Sequence, residues 1–150
     1  MDIVSCMSRR RHSRRRHSRR PSRRCHSPCF RGPRIVPVAG DGNCLFRALA
    51  HAVHLDHAAV RSVLTEHVAA HWSSYYEQFV PECDRASYLC RMQRHGTWGD
   101  ELMLAAFAAV FCRTVVVHRS GSFAEVARYG DARAVTRVLF DGSHYDVLAT

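Results

Sequence analysis

Residues 8–24 read Ser-Arg-Arg-Arg-His-Ser-Arg-Arg-Arg-His-Ser-Arg-Arg-Pro-Ser-Arg-Arg, a five-residue quasi-repeat with almost no apolar side chains. Such a stretch cannot bury enough surface to offset its conformational entropy, so it confines the folded part of the chain to the residues C-terminal to it. Charge divides at the same place. Residues 1–34 carry 12 of the 22 basic residues and a single acid, Asp2, for +11, whereas residues 35–150 carry 10 Arg against 12 acids, for −2. The expected organisation is a disordered Arg/Ser-rich tail over residues 1–34 and one domain with a real core over residues 35–150. Guanidiniums at this density neutralise phosphates. The tail is therefore expected to bind RNA or DNA in a salt-sensitive way or to direct nuclear import, the alternative being a solvated tail with no partner. Ser13, Ser18 and Ser22 each follow Arg-Arg-x, where a basophilic kinase could add opposing charge.

Seven cysteines form an odd set with no regular spacing beyond Cys25-x-x-x-Cys29. That argues against a secreted disulfide framework and for a reducing compartment, cytoplasmic or nuclear, in which a catalytic thiol stays usable. No apolar run suits a signal peptide or a membrane helix, so a soluble protein without membrane association, acting as a monomer, is expected. Cys25, His26 and Cys29 could supply zinc ligands, but no second half lies nearby. His51 with His54, and His67 with His71, likewise lack a third ligand at a recognisable spacing. No metal and no cofactor is expected. All 22 basic residues are Arg. A compositional bias accounts for this, and a second reading is avoidance of lysine amines.

Periodicity places the elements. Ile35, Val36 and Val38 suit a short edge strand, and Leu45, Leu49 and Val53, with Phe46 and Ala52 beside them, predict a helix from Cys44 to about Val53. Asp56 is placed to cap a second helix reaching about Trp72, and Asp84 a third that stops at His95-Gly96. Pro81 ends the segment between them. Thr97-Trp98-Gly99-Asp100 has the spacing of a helix start, and Glu101 to about Phe111 is apolar on nearly all sides, which predicts a central helix. Strands are expected over Thr114–His118, near Phe123–Ala127 and over Val135–Phe140, the last joined by Asp141-Gly142-Ser143 to a strand from His144 to Leu148.

Two stretches carry chemistry. Asp41-Gly42-Asn43-Cys44 is a polar turn that delivers a cysteine into the first turn of a helix, where unpaired N–H groups and the helix dipole favour a thiolate. Gly42 permits close backbone approach, and Asp41 or Asn43 can cap the helix. The other reading of Cys44 is a buried structural thiol. In the last strand His144 and Asp146 project from one face with α-carbons about 6.6 Å apart, and an Asp there can orient an imidazole.

Three stretches, Asp41-Gly42-Asn43-Cys44-Leu45-Phe46-Arg47-Ala48, Gly96-Thr97-Trp98-Gly99-Asp100-Glu101 and His144-Tyr145-Asp146, resemble in order and separation the ovarian-tumour (OTU) family of cysteine-dependent deubiquitinases. Val60-Arg61 and Tyr88-Leu89-Cys90-Arg91-Met92 are weaker echoes. The resemblance implies an α/β, papain-like OTU fold with a small central sheet packed between helices, and isopeptidase activity on ubiquitin conjugates or ubiquitin-like modifiers. It further implies Cys44 as nucleophile, His144 as general base, Asp146 as the residue orienting it and Asp41 as the acid shaping the catalytic turn. Backbone N–H groups of Gly42, Asn43 and Cys44 would form the oxyanion site, and Trp98 and Gly99 would line the channel for the ubiquitin Gly-Gly tail. A different reading makes the domain a catalytically passive interaction module attached to a nucleic-acid-binding or virion-associated tail. Compactness resembles viral or bacterial members of the family.

Deleting residues 1–34 is expected to abolish salt-sensitive retention of the chain on RNA or DNA columns; retention unchanged by the deletion rejects that role for the tail.

Overall fold

The structure is a computed structural model that describes residues 32–80 and 84–149, all within the unit Arg31–Thr150. The Arg-rich stretch, the Cys25–Cys29 pair and Pro81 lie outside the described residues. Five strands, β1 (Arg34–Val36), β2 (Thr114–Arg119), β3 (Glu125–Tyr129), β4 (Val135–Phe140) and β5 (Tyr145–Ala149), form one sheet in the order β1-β5-β4-β2-β3. All pairings are antiparallel except β2 with β4. The α-helices among the described residues are α1 (Cys44–Val53), α2 (His57–Ala70), α3 (Arg85–Gln93) and α4 (Glu101–Val110). A π-helical turn, Trp72–Tyr76, and a 3-10 turn, Glu77–Phe79, come after α2.

The parallel β2–β4 pair needs the chain to leave β3 and return past the start of β2. Residues 130–134 make that crossing with polar ties at each step. Thr114 donates its hydroxyl to the Ala132 carbonyl at 2.7 Å and its N–H to the Ala134 carbonyl at 2.8 Å. Arg113 reaches the Thr136 hydroxyl at 2.6 Å. Gly130 turns the chain at φ +78°, and a β-carbon there would stand 2.9 Å from the Arg113 carbonyl oxygen, so only glycine fits.

One core lies against the sheet. Val115, Val117, Val138 and Val147 contribute from the strands, Leu45, Phe46 and Leu49 from α1, Val60, Leu64 and Val68 from α2, and Met103, Leu104 and Phe107 from α4. Helix α1 packs on β4 and β5, α4 on β2 and β3, and α2 on α1, α3 and α4. The near-uniform apolarity of α4 thus has its cause: it is pressed between the sheet and α2. No helix among the described residues is long and apolar enough to cross a membrane.

The predicted elements match, with adjustments to α2, β3 and β5. Asp100 is the N-cap of α4, in keeping with the expected start at Glu101: its Oδ1 accepts from the N–H groups of Leu102 and Met103 at 3.1 and 3.4 Å. The same carboxylate accepts the Tyr88 hydroxyl at 2.9 Å, so a cap also ties α3 to α4. Burial and the Asp100 charge hold the Tyr88 phenol well above its usual range. Strand β3 begins two residues later than expected, because Phe123 sits at φ +55° in the turn and cannot pair. Helix α2 ends at Ala70, before Trp72, where the backbone widens into the π-helical turn.

Asp100→Ala removes the cap, worth about 1 kcal/mol, and orphans the Tyr88 hydroxyl at about 1–3 kcal/mol. Urea denaturation is expected to show a loss of roughly 2–4 kcal/mol, with a smaller loss for Tyr88→Phe.

Candidate active site

Helix α1 begins at Cys44, and the first intrahelical bond runs from the Arg47 N–H to the Asn43 carbonyl at 2.9 Å. Cys44 therefore occupies the first turn, where backbone N–H groups have no helical acceptor. Its side chain is 7% exposed and meets a cavity of about 110 Å³ lined also by Trp98, Gly99, Phe140, Gly142 and Tyr145. Gly42 holds φ +80°, and a β-carbon on it would overlap the Gly96 carbonyl oxygen. The turn before the cysteine and the loop after α3 are thus in backbone contact, which any side chain at Gly42 would break.

Asp41 shapes this turn without reaching the histidine. Arg47 donates to both its oxygens, Nη2 to Oδ2 at 2.6 Å and Nε to Oδ1 at 3.3 Å, and the Asn43 N–H donates to Oδ1 at 3.1 Å. The Arg47 hydrogen bond holds the Asp41 carboxyl well below the usual carboxylate range. The Asn43 N–H is committed to Asp41, so of the three backbone donors named for an oxyanion only those of Gly42 and Cys44 find no acceptor among the described residues. Asn43 is the N-cap of α1 by position, yet its side chain makes no capping bond, because it is used elsewhere.

Contrary to the expected strand from His144, this residue lies just ahead of β5 in the turn after β4, because its N–H is held by Asp141 Oδ1 at 2.7 Å. Its Nε2 is 3.1 Å from Asp146 Oδ1, and the same oxygen accepts the Val38 N–H at 3.0 Å. A carboxylate only accepts, so Nε2 carries the proton and Nδ1 keeps the lone pair. The Nδ1 edge lies against Gly40: a β-carbon built there would stand 3.7 Å from Nδ1. Ser143 and Tyr145, on either side of His144, line the cavity that Cys44 lines. Burial pushes the Tyr145 phenol up to about 12, which keeps it neutral. Trp98 is 63% exposed at this cavity, and Gly99 packs so tightly on Leu45 that a β-carbon would come within 2.6 Å of its side chain.

Beneath the turn lies a hub that the sequence motifs did not reveal. Asn43 is 0% exposed. Its Oδ1 accepts from Arg61 Nη2 at 2.7 Å and from the Gly96 N–H at 2.9 Å. Its Nδ2 faces the Asp41 carbonyl at 3.4 Å and His95 Nε2 at 3.2 Å. Arg61, 4% exposed, also donates to the carbonyls of Met92 and Thr97 and stacks over Phe46 at 3.8 Å. Burial lowers the Arg61 pKa, and the cation is held by oxygen dipoles and a ring in place of a paired carboxylate. A signal was present: Arg61 shares the buried helical stripe with Leu64, Thr65 and Val68. Among the described residues no group of three or more His, Cys, Asp or Glu side chains is arranged to hold a metal.

The model of the family described as OTU-like cysteine protease matches residues 39–138. The chain belongs to that family. The matched span holds Cys44 and Trp98 and ends before His144, so His144 and Asp146 are placed by their mutual contact and their position beside the cavity. Among relatives, the OTU chain is 39% identical over 85 residues to Arabidopsis thaliana OVARIAN TUMOR DOMAIN-containing deubiquitinating enzyme 10, covering 55% of this chain and 23% of that one. It is 28% identical over 98 residues to the putative ubiquitin thioesterase L96 of Tipula iridescent virus, covering 53% and 11%. The chain thus spans less than a quarter of either relative. Among solved structures, the Hazara virus OTU bound to ubiquitin superposes with a TM-score of 0.68 over 77% of this chain and 80% of that one, at 24% identity. The OTU fold implied by the three motifs is borne out.

Gly42→Ala is expected to combine a strained positive φ, about 1–3 kcal/mol, with displacement of the Gly96 loop. Thermal unfolding should fall accordingly and alkylation of Cys44 should change rate; a variant matching the parent in both would contradict the backbone contact.

Proposed function

We propose that this chain is a cysteine-dependent deubiquitinase that hydrolyses the isopeptide bond at the C-terminus of ubiquitin. The observation that carries the reading is the His144 Nε2 to Asp146 Oδ1 contact at 3.1 Å, beside the cavity that Cys44 lines. An imidazole fixed through Nε2 has Nδ1 free as the base, and a cysteine at a helix start is the nucleophile such a base serves. The names of the relatives, a deubiquitinating enzyme and a putative ubiquitin thioesterase, support the substrate class.

In this reading His144 Nδ1 takes the thiol proton, and the Cys44 sulfur attacks the carbonyl carbon of the terminal glycine. The developing oxyanion meets the free N–H groups of Gly42 and Cys44 at the positive end of α1. His144 returns the proton to the departing lysine amine as the C–N bond breaks. Water then enters, gives a proton to His144 and attacks the thioester carbon, and the thiol leaves with that proton. Asp146 orients the imidazole and stabilises its charged form throughout. Asp41 keeps the turn in shape through Arg47 and Asn43. The cavity is narrow, and Gly99 and Gly142 in its lining suit a substrate tail of two glycines. Trp98 covers the tail.

A ubiquitin probe bearing a C-terminal electrophile is expected to label the parent chain and not Cys44→Ala. His144→Ala should lower turnover of a ubiquitin amide by about 10²–10⁴-fold. Absence of labelling in well-folded parent protein would leave the passive-module reading in its place.

A further inference from the structure

The hydrogen bonds around Asn43 determine more than its own placement. Both donors reaching Oδ1, the Arg61 guanidinium at 2.7 Å and the Gly96 N–H at 2.9 Å, require an oxygen there. The amide therefore cannot be flipped, and the atom facing His95 Nε2 at 3.2 Å is the NH2 donor. A donor at that distance requires a lone pair on His95 Nε2, which puts the His95 proton on Nδ1. Protonation of Nε2 would set two N–H donors face to face, with no rotation of Asn43 able to relieve them.

Asn43 sits between Gly42 and Cys44, so what holds its side chain holds both free backbone donors. We propose that His95 is a positioning residue: its neutral imidazole accepts from Asn43 and keeps the Gly42–Cys44 turn in reactive shape, and protonation at Nε2 releases that turn. The proposal rests on the reading of Cys44 as nucleophile for its effect on catalysis, though not for the hydrogen bond itself. The other groups around His95 belong to three elements. His57, at the start of α2, meets the His95 ring edge-on with centroids 5.8 Å apart and is itself held by Asp56. Arg61 and Glu66 of α2 line the same cavity of about 240 Å³ as His95, and Gln93 lines it from the end of α3. From the catalytic turn Asp41, paired with Arg47, stands behind Asn43. His95 is exposed on its outer edge, so protons reach it from solvent. The Arg61 cation and a second imidazole are thus gathered beside the histidine that accepts from Asn43.

The deciding measurement needs no turnover. In the full chain carrying Cys44→Ala and labelled with nitrogen-15, the Asn43 side-chain amide signals are followed from about pH 8 to about pH 5. They are expected to move together with the His95 ring nitrogens. In the double variant Cys44→Ala, His95→Gln, where the glutamine oxygen accepts at every pH, they are expected to stay in place. Stationary Asn43 signals while His95 titrates, or the same movement in the double variant, would overturn the proposal, whatever the ubiquitin probe shows. With activity as readout, His95→Gln should keep more of its neutral-pH kcat at acid pH than the parent. His95→Phe, which has no acceptor, should lose kcat by about 10²-fold at every pH with KM little changed. Superimposable acid limbs for the parent and His95→Gln would count against the clamp.

Discussion

A buried guanidinium must find acceptors, and Arg61 gathers three from separate parts of the chain: the Asn43 side chain, the Met92 carbonyl and the Thr97 carbonyl. That requirement joins α2 to the end of α3, to the loop before α4 and to the turn before α1. Leaving such a cation unpaired would cost several kcal/mol, so these segments are held together strongly. The turn before Cys44 inherits its shape from this arrangement. Gly42 contacts the Gly96 backbone, and Asn43 takes both the Arg61 donor and the Gly96 N–H.

The other half of the site is anchored independently. Asp146 Oδ1 receives the Val38 N–H as well as His144, so the carboxylate that orients the imidazole also fastens the segment between β1 and the turn. Strand β1 pairs with β5 in register from Arg34 with Ala149 to Val36 with Val147. The approach to Cys44 and the strand bearing Asp146 are therefore tied to each other. Two anchors, one through Arg61 and one through Asp146, converge on the residues between Gly40 and Cys44.

Much of this was legible along the chain. The amphipathic spacing of α1, the caps at Asp56 and Asp84, the all-round apolarity of α4 and the β-branched run of β2 each answer to a local rule, and each element stands where that rule puts it. Local rules failed where a side chain served two masters. Asp100 caps α4 and at the same time accepts the Tyr88 hydroxyl. Asn43 gave up capping because Arg61 and Gly96 claimed its oxygen. The backbone N–H of Asn43 is engaged by Asp41 as well.

Periodicity, capping and composition act over a few neighbouring residues, so the elements, the change of charge between tail and domain, and the residue types of a thiol site could be read from the chain alone. Two features could not: β4 lies parallel beside β2, and Arg61, Asn43 and His95 form one network. These depend on contacts between residues from 18 to 52 positions apart, whose partners are chosen by which buried donors and acceptors have no water to turn to. No window along the chain contains that competition.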